Sequence, residues 1–244
     1  MKLGINHHRD ISLILRQFVS VLALFTLTEA IAEPSPYLYV LGVGQDAGFP
    51  QAGCFEPRCL PAWKDTSLRQ KPTSIAVIDR ASESSYLFEA TPEFRDQLYQ
   101  LHQEAPLPLS GIFLTHAHIG HYTGLIHLGR EAMGTNAMPV YAMPRMLEFL
   151  ASNGPWSQLV TLGNIDLLRL EHNAPTQFTN FIVTPFLVPH RDEYSETVGY
   201  RIEGPNRTAL FIPDVNKWED WNISIVEVLE AVDYALIDAS FFAD

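Results

Sequence analysis

Gly111-Ile112-Phe113-Leu114-Thr115-His116-Ala117-His118-Ile119-Gly120-His121 is the stretch on which the fold turns. The apolar run Gly111–Leu114 predicts a short buried strand, and the histidines begin where it breaks into a loop. His116 and His118 are two positions apart, so at a strand end they point to the same side. His121 follows on a turn and comes to the same point from another angle. Neutral imidazoles gathered around one point are what a divalent transition metal such as zinc binds. The chain has nine histidines in 244 residues, so three within six positions is a concentration that unrelated surface histidines do not explain.

Working outward, the pattern predicts a strand at Tyr37–Val43, then a long Gly- and Pro-rich loop to about Pro72. Ser74–Asp79 and Tyr86–Glu89 read as a strand pair. Thr91 as N-cap and Pro92 at the first helical position predict a helix to about Gln103. After the histidine loop, the spacing predicts a helix over Thr123–Met133, a strand at Val140–Met143, and a helix ending near Asn153-Gly154. Strands follow at Asp166–Leu170, Phe181–Val188, Thr197–Glu203 and Thr208–Ile212. A helix over Trp218–Ala231 and a strand at Tyr234–Ile237 complete the pattern.

The histidine run resembles the T-H-x-H-x-D-H signature of the metallo-β-lactamase superfamily, with Gly120 where the signature has Asp. The resemblance implies an α/β fold, an α/β/β/α sandwich with metal held at one edge between the sheets. It also implies roles for two strand-end residues. His190, after the apolar run Phe181–Val188, matches the histidine that completes the first metal site. Asp214, after Leu210-Phe211-Ile212-Pro213, matches the Asp shared between two metals, and could also orient water as a general base. On their own, a lone strand-end His is more often structural and an Asp there a turn residue; the histidine cluster tips both toward metal. The segments Leu41–Gly48, Cys54–Cys59, Leu87–Arg95 and Pro189–Glu193 further resemble the pyrroloquinoline-quinone biosynthesis protein B-like branch and its phosphodiesterase relatives.

Gly120 departs from the signature at the residue that ligates a second metal. A further histidine of the family, beyond the last strand, is absent; Asp238–Asp244 stop where family members continue, which implies a C-terminally truncated domain. On this reading the second position has only His121 and Asp214. One Zn2+ is expected, on His116, His118 and His190, with an open coordination position, and the second site is degraded. Gly120→Asp is then the change that would rebuild it. Asp46 and Asp192 are candidates to stand in for the missing carboxylate, though a solvated loop acid is the plainer reading of each.

The first 32 residues read as a signal peptide. Lys2, Arg9 and Arg16 give a basic start, Gln17–Thr28 is uncharged and mostly apolar, and Ala30-Ile31-Ala32 is a small-x-small cleavage site. The apolar run is shorter than the ~20 residues of a membrane span, so no stable span is expected after cleavage, and a periplasmic or secreted domain from Glu33 follows. That domain carries 13 Lys and Arg against 26 Asp and Glu, a net charge of −13. Such a surface repels polyanions and argues against nucleic acid as a partner; a small-molecule substrate fits better. Cys54 and Cys59 read first as a local disulfide in an oxidising compartment, since two thiolates with no nearby His make a weak structural zinc site.

Two functions remain open at this level. One is a zinc-dependent hydrolase of a phosphodiester or another small ester or amide, with water activated at the metal. The other is a non-hydrolytic protein of the quinone-cofactor branch that binds or oxidises a small quinone-like metabolite, with Trp156, Trp218 and Trp221 as candidate pocket walls.

Overall fold

The computed structural model describes residues 35–240; the expected leader and the last four residues lie outside them. Strands β1 (Tyr37–Gly42), β2 (Ser74–Asp79), β3 (Ser84–Phe88), β4 (Leu109–Phe113), β5 (Met138–Ala142) and β6 (Ile165–Arg169) form one sheet in chain order. Strands β7 (Thr176–Gln177), β8 (Ile182–Leu187), β9 (Val198–Glu203), β10 (Thr208–Ile212) and β11 (Tyr234–Ile237) form a second, in the order β11-β10-β9-β8-β7. The helices are α1 (Leu60–Lys64), α2 (Phe94–Glu104), α3 (Ile119–Tyr122), α4 (Pro144–Ser152), α5 (Trp156–Thr161) and α6 (Ile225–Glu230). Among the described residues, no helix is long and apolar enough to cross a membrane.

The inner strands of the first sheet carry short apolar runs, Ile75–Ile78 in β2 and Gly111–Phe113 in β4, because both faces are covered there. In β2 all six positions are buried. Ala76 and Ile78 face a layer containing Phe94 and Leu101 of α2 with Met146 and Leu150 of α4. Ile75 and Val77 face the other way, into an aromatic core between the sheets. There Phe88 stacks on Phe113 at 4.7 Å, and Tyr200 of the second sheet meets both edge-on at 5.3 and 5.6 Å. On the far side of the second sheet, Val228 and Leu229 of α6 pack against Leu210 and Ile212. The layers are therefore helix, sheet, sheet, helix.

Two expected helices take other forms. Thr123–Leu128 is a 3-10 turn, not the start of a helix to Met133. Gly124 N–H bonds the Ala90 carbonyl of another segment, and Gly129 N–H bonds Ile126 three residues back, so the α ladder is not continued. The span from Trp218 to Ala231 splits into a 3-10 turn and α6, which restarts where the Ser224 side chain accepts from the Glu227 amide. Helix α2 begins at Phe94, with Thr91 one turn ahead of it accepting from Glu93 N–H. Helix α5 and the two-residue β7 were not expected from the sequence.

Strand direction creates the functional edge. β1 is antiparallel to β2 and β2 to β3, so β1 runs parallel to β3, which is parallel to β4. β8 and β10 both run antiparallel to β9. The carboxyl ends of β1, β3 and β4 thus lie at one edge of their sheet, and those of β8 and β10 at one edge of theirs. The two edges are tied together: Val198 N–H donates to the Thr115 carbonyl at 3.2 Å, and the Tyr200 hydroxyl donates to the Leu114 carbonyl.

Candidate metal centre

Five strand ends deliver side chains to this edge: Asp46 after β1, Glu89 after β3, the histidine run after β4, His190 after β8 and Asp214 after β10. His116 Nε2 lies 2.9 Å from His118 Nδ1, which lies 3.0 Å from His190 Nε2. Asp214 Oδ2 is 3.4 Å from His116 Nε2, 3.1 Å from His190 Nε2 and 4.0 Å from His118 Nδ1. Four ligands on a tetrahedral ion at bond lengths of ~2.0–2.1 Å stand roughly 3.3 Å apart. The spacing of these four donors brackets that value.

The second nitrogen of each ring shows which one faces the cluster. The Thr115 hydroxyl donates its single proton to buried Glu89, so it accepts from His116 Nδ1–H at 2.9 Å. His116 Nε2 is then a bare lone pair. His118 Nε2 lies 2.9 Å from Glu193 Oε2 and donates to it, which leaves His118 Nδ1 bare as well. Two lone pairs 2.9 Å apart, with a carboxylate oxygen 3.4 and 4.0 Å from them, repel unless a cation lies between them. The donor set of three imidazoles and one carboxylate suits zinc or a similar divalent ion.

A second group, Asp46, His121 and Asp214, adjoins the first and shares Asp214 with it. His121 Nε2 is 2.7 Å from Asp46 Oδ1 and 3.7 Å from Asp214 Oδ2. Behind it, His121 Nδ1 faces Glu89 Oε1 at 3.5 Å and has no closer partner. Both flanking carboxylates depend on left-handed backbone: Glu89 has φ 81°, and Asp46 sits on the corner of a Gln45–Gly48 turn whose next residue, Ala47, has φ 62°. For residues with a Cβ this conformation costs roughly 1–2 kcal/mol each, a strain concentrated at the site.

The electrostatics follow the packing. Burial would pull the His121 pKa down, but the charges of Glu89 and Asp46 outweigh it and lift it to about 10. Burial, with the nearby His121 charge, depresses His116 to about 3. Burial also works against the ionised form of Asp214, yet a hydrogen bond from His190 and the nearby His121 charge hold its carboxyl well below the usual range. His121 lowers Asp46 mainly through their hydrogen bond, whereas burial raises Glu89.

The structure thus brings His116, His118, His121, His190 and Asp214 to one edge and adds Asp46 to them. Asp46, one of the two candidate stand-ins for the carboxylate missing at Gly120, joins His121 and Asp214, so three ligand atoms and not two gather in the second group. Asp192 is elsewhere, its Oδ1 accepting from the Thr197 hydroxyl. The space a side chain at residue 120 would enter is held by Asp46, whose Oδ1 stands 2.7 Å from a Cβ built there, so an Asp at 120 would contend with it. The three candidate tryptophans are packing residues: Trp156 lies against Tyr122 and Phe149, and Trp218 and Trp221 pack against the cluster of Val188, Leu210, Ile212 and Val215. Cys54 and Cys59 are joined in a disulfide with Cα atoms 5.9 Å apart. Sequence reading assigned no role to Glu89 or Glu193, neither of which stands at a fixed spacing from the histidines.

Comparison with known proteins agrees with this architecture. The Coenzyme PQQ synthesis protein B of Xanthomonas oryzae pv. oryzae is 26% identical over 197 residues, 72% of this chain and 64% of that protein. The Gluconobacter oxydans protein of the same name is 24% identical over 84% of this chain. The chain thus spans less than two thirds of the length of the first of these relatives. The crystal structure of Zn2+-bound PqqB from Methylobacterium extorquens shares the fold, with a TM-score of 0.66, 22% identity, and 82% of this chain and 72% of that one covered. A diphosphatase of the PhnP family shares it at a TM-score of 0.53 and 23% identity, covering 72% and 64%. The profile described as Beta-lactamase superfamily domain matches residues 85–244, well over half of the sequence, and the chain belongs to that superfamily.

Proposed function

We propose that this protein is a metal-dependent hydrolase acting on a phosphodiester or another small ester or amide. One observation carries the reading: the bare nitrogens of His116 and His118 converge with His190 Nε2 and Asp214 Oδ2 on one point at a sheet edge. A divalent ion there, Zn2+ by its donor set, would supply Lewis acidity toward a phosphoryl or carbonyl oxygen and make water acidic enough to react near neutral pH.

The chain's own groups do the rest. Thr115 and Glu89 fix the His116 tautomer, and Glu193 fixes that of His118. Asp214, held ionised and shared by the two groups, is placed to accept a hydrogen bond from an incoming water and so would orient it. A carboxylate held this low serves poorly as a proton acceptor, since a general base works best with a pKa near the operating pH; Asp214 is better suited to ligation and positioning. The Arg191 guanidinium reaches within 3.4 Å of His118 Nδ1 and gives an otherwise acidic surface a local cation to meet an anionic substrate. The diphosphatase among the structural relatives supports a phosphoryl substrate.

The purified chain, loaded with Zn2+ and offered bis(p-nitrophenyl) phosphate and a panel of small esters, should turn over at least one of them, and His116→Ala should abolish that turnover. A metal-loaded protein inert toward all would favour the second reading, a PQQ-synthesis-B-like protein that binds a small quinone-like metabolite. That reading is supported by the names of the relatives. Direct binding of a soluble ortho-quinone by the inert protein would establish it.

We also infer export of a mature domain from Glu33, supported by the leader-like sequence and by a disulfide of the kind that persists in oxidising compartments. Cell fractionation with N-terminal sequencing tests it; a cytoplasmic protein that retains residues 1–32 would overturn it.

A further inference from the structure

Gly120 is the one position of the histidine motif that lacks a side chain, and the space beside it is filled. A Cβ built on Gly120 would meet Asp46 Oδ1 at 2.7 Å and Asp46 Cα and Cγ at 3.2 Å. The carboxylate of Asp46 therefore stands where a side chain at residue 120 would begin. It comes from the turn after β1, 75 residues away in sequence from its partner His121, and reaches His121 Nε2 at 2.7 Å. The turn that presents it is anchored at several points. Gly48 N–H bonds Gln45 O at 2.8 Å, the Gln51 side chain holds the Asp46 carbonyl at 2.8 Å, and Phe49 pairs with Gln70 in both directions.

We propose that Asp46 and Gly120 are a compensated pair: Asp46 supplies the carboxylate of a second divalent-metal position, with His121 and Asp214, and Gly120 is glycine because Asp46 occupies its side-chain space. The proposal rests on the metal-hydrolase reading for the first position and adds to it. One ligand atom from each of the three residues falls in a single cluster. The three donors, one nitrogen and two oxygens, are a set that zinc accepts, with room for a non-protein ligand. His121 Nδ1, buried and without a hydrogen-bond partner, faces Glu89, the arrangement by which an outer carboxylate orients a ligating imidazole. Two adjacent positions bridged by Asp214 would let the chain hold both the attacking and the leaving oxygen of a substrate, the division of labour expected of paired metals.

The test is metal stoichiometry, read without any activity assay. The metal-free full chain is titrated with Zn2+ against a chelating dye, and bound zinc is counted by elemental analysis. Two equivalents are expected. Asp46→Asn keeps the shape of the side chain, and should weaken the second equivalent by about 100-fold or more, beyond the ~10–100-fold typical of losing an outer partner, while leaving the first unchanged. Gly120→Asp alone should not strengthen the second equivalent, because it displaces Asp46. The exchange Asp46→Ala with Gly120→Asp should restore two equivalents, since the carboxylate then returns from the other side. A single equivalent in the unaltered chain, or two equivalents that Asp46→Asn leaves equally tight, would overturn the proposal and leave the first position standing. No bound zinc at all would overturn the hydrolase reading beneath it.

Discussion

The two ligand groups share Asp214 but are assembled differently. The first is carried on the ends of three strands, β4, β8 and β10, whose directions are fixed by sheet pairing and whose bases lie in the aromatic core between the sheets. The second is centred on one buried imidazole gripped from both sides, by Asp46 on an irregular loop and by Glu89 on strained backbone. A group built on strand ends is preorganised by the fold, whereas one built on a loop depends on the local contacts that hold the loop. Metal should therefore bind the first group more tightly, and substitutions that disturb loop or clamp should separate the two.

The largest effect should come from the residue common to both. Asp214→Asn removes a charged donor from each group, and both zinc equivalents should weaken by about 100-fold or more, beyond the ~10–100-fold of losing an outer partner. The stabilisation that zinc gives the folded chain, about 4 kcal/mol when free zinc is ~1,000 times its dissociation constant, should largely vanish from melts run with and without chelator. If only one equivalent weakens, the groups are independent and Asp214 belongs to one of them.

Glu89→Gln should divide the groups. Glu89 Oε1 accepts from the Thr115 hydroxyl and also faces His121 Nδ1, so a Gln that keeps its oxygen there preserves the His116 tautomer but loses the charge beside His121. A neutral amide oxygen is a weaker acceptor from His121 Nδ1–H than a carboxylate, so the imidazole becomes a poorer ligand through Nε2. The second equivalent should weaken ~10–100-fold with the first nearly unchanged. Equal weakening of both in calorimetric titration would show that Glu89 acts through Thr115 and His116 and not through His121.

How far these groups could be read from sequence follows from the same contrast. His116, His118 and His121 declare themselves by local spacing, and His190 and Asp214 by ending apolar strands, so the first group was legible residue by residue. Asp46 and Asp192 looked alike as loop acids. What separates them is a hydrogen bond to Thr197 in one case and the empty side of Gly120 in the other, and neither is encoded in spacing. Glu89 was hidden because a buried acid at a strand end carries no periodic signal. The strands were legible because β2 and β4 carry unbroken apolar runs, Ile75–Ile78 and Gly111–Phe113. The expected helices at 123–133 and 218–231 failed where backbone bonds to other segments or a new cap interrupted a locally plausible ladder.

The Cys54–Cys59 disulfide lies in the loop that carries Asp46, between β1 and β2, and offers a milder perturbation. Closing so short a loop should contribute about 2 kcal/mol. Cys54→Ser with Cys59→Ser should lower the free energy of urea unfolding by that amount and loosen the second equivalent more than the first. An unchanged ratio between the two would mean that the turn at Gln45–Gly48 is held by its backbone bonds alone.

The smallest effect should be at Glu193, and its smallness is informative. Glu193 and Glu89 are both carboxylates that face a ring nitrogen turned away from the cluster, His118 Nε2 in one case and His121 Nδ1 in the other. They differ in burial, for the Glu193 side chain is 48% exposed and that of Glu89 is wholly enclosed. In water-exposed surroundings the pull of Glu193 on His118 is screened, and water can take its place as acceptor from Nε2–H. Glu193→Ala should therefore cost the first equivalent only a few-fold in zinc affinity, less than the ~10-fold lower bound for an effective outer partner, and the loss should shrink further as salt is raised. A loss matching that of Glu89→Gln, or one indifferent to salt, would mean that bound metal draws the 190–195 loop closed over His118. The first group would then depend on its loop as much as the second does.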